Sequence, residues 1–232
     1  MGSLNMTHFG ISENGNIPGN LEIENTIWNR GITHIAGVDE SGCGPLAGPV
    51  VSGAVYLKTT QFRNRIDDSK RLTRSQREDA FLEIIQKSTF ALSVIDERII
   101  DALNILTATR LCMENAIYSL LKKINHRNIC IMVDGDVKLG IPGHPVLNII
   151  RGDQRSKTIA CASILAKVSR DRIMSLYDKV WPQYGFFRHN GYPTSLHRLA
   201  LKQFGPCPIH RLSFSYPTRI GFPKPIKERP YA

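Results

Sequence analysis

The chain has 232 residues, 42% of them hydrophobic, enough for one packed domain with appendages. Thirty Lys and Arg against 20 Asp and Glu give a net charge of +10, which suits nucleic acid, an anionic membrane or an acidic partner, or belongs to a generically basic enzyme. Five scattered cysteines (Cys43, Cys112, Cys130, Cys161 and Cys207) without a Cys-x-x-Cys pair argue against a disulfide or zinc framework, and no apolar run reaches the roughly 18 residues of a membrane span.

Residues 1–30, rich in Gly, Asn and Ser and without sustained periodicity, are expected to form a flexible extension. They hold no apolar signal core, so the expected compartment is the cytoplasm. Ile35–Val38 and Pro49–Leu57 read as strands on either side of a glycine turn. A helix is predicted over Ser75–Lys87 from the capping-box spacing of Ser75 and Glu78 and from apolar Ala80, Phe81, Ile84 and Ile85. Phe90–Ile95 reads as a third strand, and Asn104–Lys123 as a longer helix. Two more strands, Asn128–Val133 and Val146–Ile150, lead to aspartates. A long helix over Ser156–Val180 turns Ile159, Ala162, Ile164, Leu165 and Val168 toward the sheet, and Ser195–Gln203 is a further helix. The first two strands leave no room for a helix between them, which suggests antiparallel pairing. The later alternation of strand and helix suggests parallel additions, hence a mixed α/β sheet. The Pro-rich residues from Pro217 onward are expected to be loosely ordered.

The acids fall at telling places. Asp39 and Glu40 follow the first strand, Asp134 the fourth and Asp153 the fifth. Strand ends at one edge of an open α/β sheet converge on a common crevice. Any one of these acids reads most simply as a turn or cap residue. Four together would repel one another unless divalent cations neutralised them, and Mg2+ takes one or two carboxylates with water and substrate phosphate. A pair of such ions can activate water and stabilise the leaving oxygen in phosphodiester cleavage.

Directly after Glu40, the turn Gly42-Cys43-Gly44 can offer backbone N–H and C=O groups to a ribose 2′-hydroxyl, which both donates and accepts. A P-loop spacing is absent, and a dinucleotide site would not place two acids before its glycines. Ser69 and Lys70 lie in a polar turn that could hold a phosphate. Ser163 and Lys167 share a helix face at i, i+4 and could meet successive phosphates. Tyr192, after Gly191, offers an aromatic face to a sugar or base. The seven histidines show no His-x-x-x-His spacing, so zinc chemistry has no support.

These blocks, in this order, resemble ribonuclease HII, the type 2 ribonuclease H family, from about Ile35 to Phe214. They are Gly-Val-Asp-Glu-x-Gly-x-Gly-Pro-Leu-Ala-Gly-Pro-Val-Val at 37–51, Asp-Ser-Lys-Arg-Leu-Thr at 68–73 and Asn-Ile-Leu-x-Ala-Thr at 104–109. Val-Asp-Gly follows at 133–135, then Gly-Asp at 152–153, Ile-Ala-Cys-Ala-Ser-Ile-Leu-Ala-Lys-Val at 159–168, and Tyr-Gly-Phe at 184–186. The last are His-Asn-Gly-Tyr at 189–192 and Ile-His-Arg-Leu-Ser-Phe at 209–214. The resemblance implies an RNase H-like fold, an α/β architecture with a mixed five-stranded sheet flanked by helices and a small helical C-terminal extension. It implies a catalytic domain over 31–216 and a tail over 217–232. It further implies cleavage of RNA in RNA–DNA hybrids and incision 5′ to a ribonucleotide embedded in duplex DNA, with Mg2+ or Mn2+, by a monomer without membrane partners. Asp39, Glu40, Asp134 and Asp153 match the family's catalytic, metal-holding carboxylates. Gly42, Cys43 and Gly44 match its ribose-reading tripeptide, Tyr192 its junction-sensing tyrosine, and Lys70, Ser163 and Lys167 its phosphate-holding positions.

Two departures stand out: the family usually has arginine at Cys43 and glycine at Pro193. Main-chain reading of the hydroxyl needs only the flanking glycines, whereas the arginine's charge is lost. Ribonuclease HIII shares the fold, but the chain shows no long N-terminal substrate-binding domain and carries the Gly-Tyr block. A catalytically silent hybrid-binding protein and a basic structural partner are the readings from other classes.

Overall fold

The structure, a computed structural model, describes residues 21–214 apart from 125 and 127. The elements are α1 (Glu22–Trp28), β1 (Ile35–Ser41), β2 (Val50–Leu57), α2 (Arg74–Lys87), β3 (Ser88–Ile95), α3 (Glu97–Leu103) and α4 (Ile105–Leu121). After these come β4 (Cys130–Asp134), β5 (Val146–Ile149), α5 (Gly152–Arg155), α6 (Lys157–Val180), a 3-10 turn at Pro182–Tyr184, α7 (Phe186–His189) and α8 (Ser195–Phe204). The five strands form one sheet in the order β3-β2-β1-β4-β5. β1 pairs antiparallel with β2, and β2 with β3, while β4 joins β1 and β5 joins β4 in parallel. The mixed sheet expected from the chain order is the one found.

β1 is buried on both faces from Ile35 to Asp39, as a central strand covered by helices must be. On one face, Met113, Ala116, Ile117 and Leu120 of α4 pack against Ala36, Val38, Ile131 and Val133. On the other, α2 and α6 cover Val55 with Ala80, Phe81, Ile84, Ala162 and Leu165. α6 lies almost directly on the strand backbones. A Cβ on Gly37 would come within 2.8 Å of the Thr158 carbonyl carbon, and one on Gly53 within 2.7 Å of the Ala162 oxygen. Only glycine permits that approach. The second half of α6 continues past the sheet, where Met174 joins Tyr184, Phe186, Leu201 and Ile209 in a separate C-terminal cluster with Leu46 and Ala47.

Several expectations need correction. The flexible extension does not hold for residues 22–28, which form α1. Ile23 and Ile27 are fully buried against Cys130, Met132, Leu147 and Ile159, each contributing about 1.5–3 kcal/mol. Residues 1–20 and the expected tail at 217–232 lie outside the described residues. The capping box of α2 is not Ser75–Glu78 but Thr73–Gln76. The Thr73 hydroxyl accepts from the Gln76 amide at 3.2 Å, and the Thr73 amide donates to Gln76 Oε1 at 2.9 Å. Both pairs have the same spacing, and Glu78 is instead paired with Arg172 of α6. α3 was not anticipated; Asp96 caps it, and Asn104, with φ of 70°, separates it from α4. All five cysteines are free, with Cys112, Cys130 and Cys161 in the core.

Glu24 of α1 is 0% exposed and accepts from the Ser156 hydroxyl (2.7 Å), the Thr158 amide (2.9 Å) and the Thr158 hydroxyl (2.8 Å). It thus ties α1 to the N-terminus of α6, next to Asp153. Burial raises its pKa from the ordinary value. Glu24→Ala would strand those buried donors, and a loss of about 2–4 kcal/mol in urea unfolding is expected, with Glu24→Gln less severe. A change of under about 0.5 kcal/mol, the scale of an ordinary surface substitution, would show that the tie is dispensable.

Candidate active site

Parallel pairing of β1 and β4 brings Val38 opposite Val133, which sets Asp39 beside Asp134, the last residue of β4. Asp39 and Glu40 do not follow β1 as expected but lie within it, because their pairing with Gly53 and Ser52 of β2 carries the strand on to Ser41. Asp153 does not close a strand. β5 ends at Ile149, Arg151 adopts a left-handed conformation (φ 54°), and the chain turns into α5, which carries Asp153 beside the other acids. The Gly152 amide donates to Asp134 Oδ1 at 2.6 Å and fixes this turn against β4. Asp39 is buried, its Oδ1 accepting from the Glu40 amide at 2.7 Å.

All four carboxylates titrate above their ordinary values. For Asp39 the main cause is burial, followed by repulsion from Glu40 and Asp134, against which the Ser163 hydroxyl bonds the charged form. Burial also comes first for Glu40 and is reinforced by Asp134. For Asp134 burial outweighs the backbone amides that favour its charge. Asp153 is pushed up to about 7 by burial, then by Asp134 and Asp68. Lys70 answers them: its pKa is raised although burial opposes this, because Asp153, Asp68, Asp39 and Asp134 face it. Its Nζ stands 3.9 Å from Asp153 on a largely exposed side chain, a weak pair in water. Among the described residues no three His, Cys, Asp or Glu side chains stand ready to enclose one ion. The donor set is nevertheless all carboxylate oxygen and mutually repelling. That fits hard divalent cations taking one or two carboxylates each and completing their shells from water and phosphate.

The glycine turn continues from β1. Gly42 has φ of 110°, a conformation that favours glycine. The carbonyls of Gly42 and Cys43 face inward and accept from Arg211 at 2.6 and 3.1 Å. The Cys43 thiol points to Glu40 Oε1 (3.5 Å) and Thr109 Oγ1 (3.3 Å). Burial and then Glu40 push its pKa up to about 12, so it is a neutral donor and no nucleophile. Tyr192, 40% exposed, stands over Gly44, where an added Cβ would lie 3.7 Å from the ring.

The expected phosphate holders are placed unequally. Ser163 Oγ is buried 3.0 Å from Ser69 Oγ, next to Asp39. Lys167 lies 5.9 Å from the Tyr192 ring, but its ammonium is bonded to Asp171 at 2.8 Å. Asp171 also faces Arg77, which donates to the carbonyls of Ser69 and Leu72 and so holds the 68–72 loop against α6. Asp68 accepts from the Lys70 amide and from Gln154, binding that loop to α5. Sequence reasoning missed Arg170 and Arg211, and also a buried group of three histidines behind Tyr192. His197 Nδ1 lies 3.0 Å from the Tyr192 carbonyl, its Nε2 3.0 Å from His210 Nε2, and its ring stacks on His189. Burial lowers His197 to about 4 and His210 to about 3, so both are neutral and serve as hydrogen-bonding spacers.

The carboxylate shifts fix a pH dependence. Each raised acid holds its proton more tightly in the folded chain than in the unfolded one. Its contribution is full below about pH 4 and is lost as pH rises through the raised values, which for Asp153 means through about 7. A cation needs these groups deprotonated. The rise in Tm on adding Mn2+ is therefore expected to be small at pH 5 and large at pH 8, and to be lost in Asp134→Ala. A pH-independent rise, or one kept by that variant, would place the ion elsewhere.

Known proteins resemble this chain in sequence and in fold. The family model of Ribonuclease HII matches residues 36–216. The Ribonuclease HII of Ruminiclostridium cellulolyticum is 49% identical over 195 residues, 84% of this chain and 74% of that protein. The crystal structure of ribonuclease H2 from Pyrococcus horikoshii OT3 superposes with a TM-score of 0.66 at 26% identity, covering 79% of this chain and 94% of that one. Bst-RNase HIII in complex with Mn2+ is similar in fold alone, with a TM-score of 0.59 at 17% identity over 74% of this chain and 63% of that one. The sheet is thus that of an RNase H-like fold, and the chain belongs to the ribonuclease HII family and is a ribonuclease H hydrolase.

Proposed function

We propose that this enzyme hydrolyses the RNA strand of RNA–DNA hybrids and incises 5′ to single ribonucleotides in duplex DNA, leaving 5′-phosphate and 3′-hydroxyl ends. The observation that carries this is one edge holding four carboxylates with raised pKa values, Asp39 and Asp153 buried and Glu40 and Asp134 half-buried, adjoining a glycine turn under an exposed tyrosine. Asp39, Glu40, Asp134 and Asp153 hold Mg2+ or Mn2+. Two such ions, when bound, supply activation of a water and charge stabilisation of the departing 3′ oxygen.

The chain's own groups do the rest. Amides of the 42–44 turn receive the ribose 2′-oxygen, a contact that a deoxyribose cannot make. Tyr192 stacks against the adjoining nucleotide, where its exposed ring has room. Lys70 and Lys167 face the backbone phosphates, the first from a side chain free to move and the second held by Asp171 beside the ring. Ser163 favours the charged form of Asp39. The net charge of +10 draws the polyanion to an edge that is itself acidic. One chain supplies every group named, so a monomer suffices.

With labelled duplexes carrying one ribonucleotide, or a whole RNA strand, metal-dependent cleavage of both is expected, and none in EDTA. Asp39→Ala and Asp134→Ala are expected to lower turnover by at least about 10³-fold with an unchanged far-UV spectrum. Turnover near wild type in either variant would remove the carboxylates from the mechanism, and binding of hybrid without any cleavage would make the chain a binding protein. Cys43→Arg adds a cation beside Glu40 and is expected to lower KM for both substrates several-fold, the scale of one added charge contact. An unchanged KM and an unchanged ratio of the two activities would show that the thiol costs the enzyme nothing.

A further inference from the structure

Arg170 of α6 is 0% exposed, and its guanidinium spans two loops that are far apart in sequence. Its Nε donates to the Pro49 carbonyl at 2.9 Å and one terminal nitrogen to the Ala47 carbonyl at 3.0 Å, both on the segment that follows the glycine turn. The other terminal nitrogen donates to the Asn190 carbonyl at 2.9 Å, two residues before Tyr192. The side chain also lies flat against Gly42, where an added Cβ would fall onto Arg170 Nε and within 2.7 Å of Cδ. Its central carbon stands 6.0 Å from the Tyr192 ring. One further bond joins the same two loops directly, from the Leu46 amide to the Gly191 carbonyl at 2.8 Å.

A packing role alone does not account for this residue. Burial pulls its pKa below the ordinary value, and a guanidinium bonded to neutral carbonyls costs more to bury than a methionine or leucine of similar volume. What arginine alone offers is a rigid planar fork whose donors leave in fixed directions. Here that fork fixes the Ala47–Pro49 segment and the Asn190 turn to one plane, and with them the offset between the amides at 42–44 and the Tyr192 ring.

We propose that Arg170 is a positioning residue that sets the spacing between the glycine turn and Tyr192, and thereby the preference for a single embedded ribonucleotide. This rests on the function proposed above, in which the turn receives the ribose and the ring meets its neighbour. A lone ribonucleotide offers one register, so turn and ring must both be in place at once. A long hybrid offers many registers and tolerates a misplaced ring. Displacements of about 1 Å can cost about 10²-fold in rate when two contacts must be met together.

Arg170→Lys keeps the charge but replaces the fork with a single ammonium. The ratio of kcat/KM for the single-ribonucleotide duplex to that for the long hybrid is expected to fall about tenfold or more. In a Tyr192→Ala background the same substitution is expected to change that ratio little, because the residue it positions is gone. Gly191→Ala is a second route to the same displacement: its Cβ would lie 2.5 Å from the Ala47 oxygen and push the Tyr192 turn away, with Arg170 untouched. It should reproduce the selective loss even if Arg170→Lys does not fold. Equal losses on both substrates, additive effects of Arg170→Lys and Tyr192→Ala, or a ratio unmoved by Gly191→Ala would each overturn the assignment while leaving the proposed function standing. A wild-type enzyme that cuts only the long hybrid, or neither substrate, would overturn that function and this assignment with it.

Discussion

Four carboxylates crowd one edge of the sheet and repel one another, and the fold holds them there. Local amides, the Ser163 hydroxyl and Lys70 offset that repulsion only in part. Every one of them is more easily protonated than in water, chiefly through burial and then, for Asp39, Glu40 and Asp153, through its acidic neighbours. The parallel β1–β4 pair sets Asp39 beside Asp134, the Gly152 amide locks α5 to Asp134, and α6 presses onto β1 and β2 through the gaps left by Gly37 and Gly53. The apolar layers above and below the sheet supply the free energy that such a cluster consumes.

Beside this acidic edge lies a floor of opposite charge. Arg170 and Arg211 are both fully buried and bond to the carbonyls of the loop from Gly42 to Pro49. Burial, then repulsion from Arg170, lowers Arg211 to about 10, still charged at neutral pH. The two cations keep the loop's carbonyls turned inward and put fixed positive charge beneath the face that would meet a phosphate backbone. The neutral histidine group fills the space behind Tyr192 without adding to that charge. The proposed metal binding, ribose contact and stacking would thus fall to three adjoining environments: acidic, amide-rich and aromatic.

How much of this was legible in the sequence depended on whether the signal was local. Strand ends, turn glycines and the acids between them are local, and Asp39, Glu40 and Asp134 could be assigned to one sheet edge from pattern alone. Asp153 was placed at the edge but not on its short helix, because the left-handed residue that starts the turn is Arg151, while the adjacent Gly152 is already the first residue of the helix. Seven residues of α1 were hidden by the polar composition of the chain before them, although Ile23 and Ile27 already had helical spacing. The capping box was misplaced by two residues because Thr73–Gln76 and Ser75–Glu78 satisfy the same rule, and only the tertiary pairing of Glu78 with Arg172 separates them. Arg170 and Arg211 could not be recognised, since a basic residue in an amphipathic or C-terminal segment reads as surface until its burial is seen. Ser163 and Lys167 were correctly put on one helix face, but the Lys167–Asp171 bond needed the structure.

The most direct measurement is the location of the cation itself. Crystals of the wild-type protein with Mn2+ and a nicked duplex, carrying a ribonucleotide 5′-phosphate at the break, would show the ions by anomalous scattering. Peaks bounded by Asp39, Glu40, Asp134 and Asp153 are expected at that phosphate, with the ribose 2′-oxygen against the 42–44 amides. Manganese bound away from these carboxylates, or a ribose turned from the glycine turn, would contradict the proposed site.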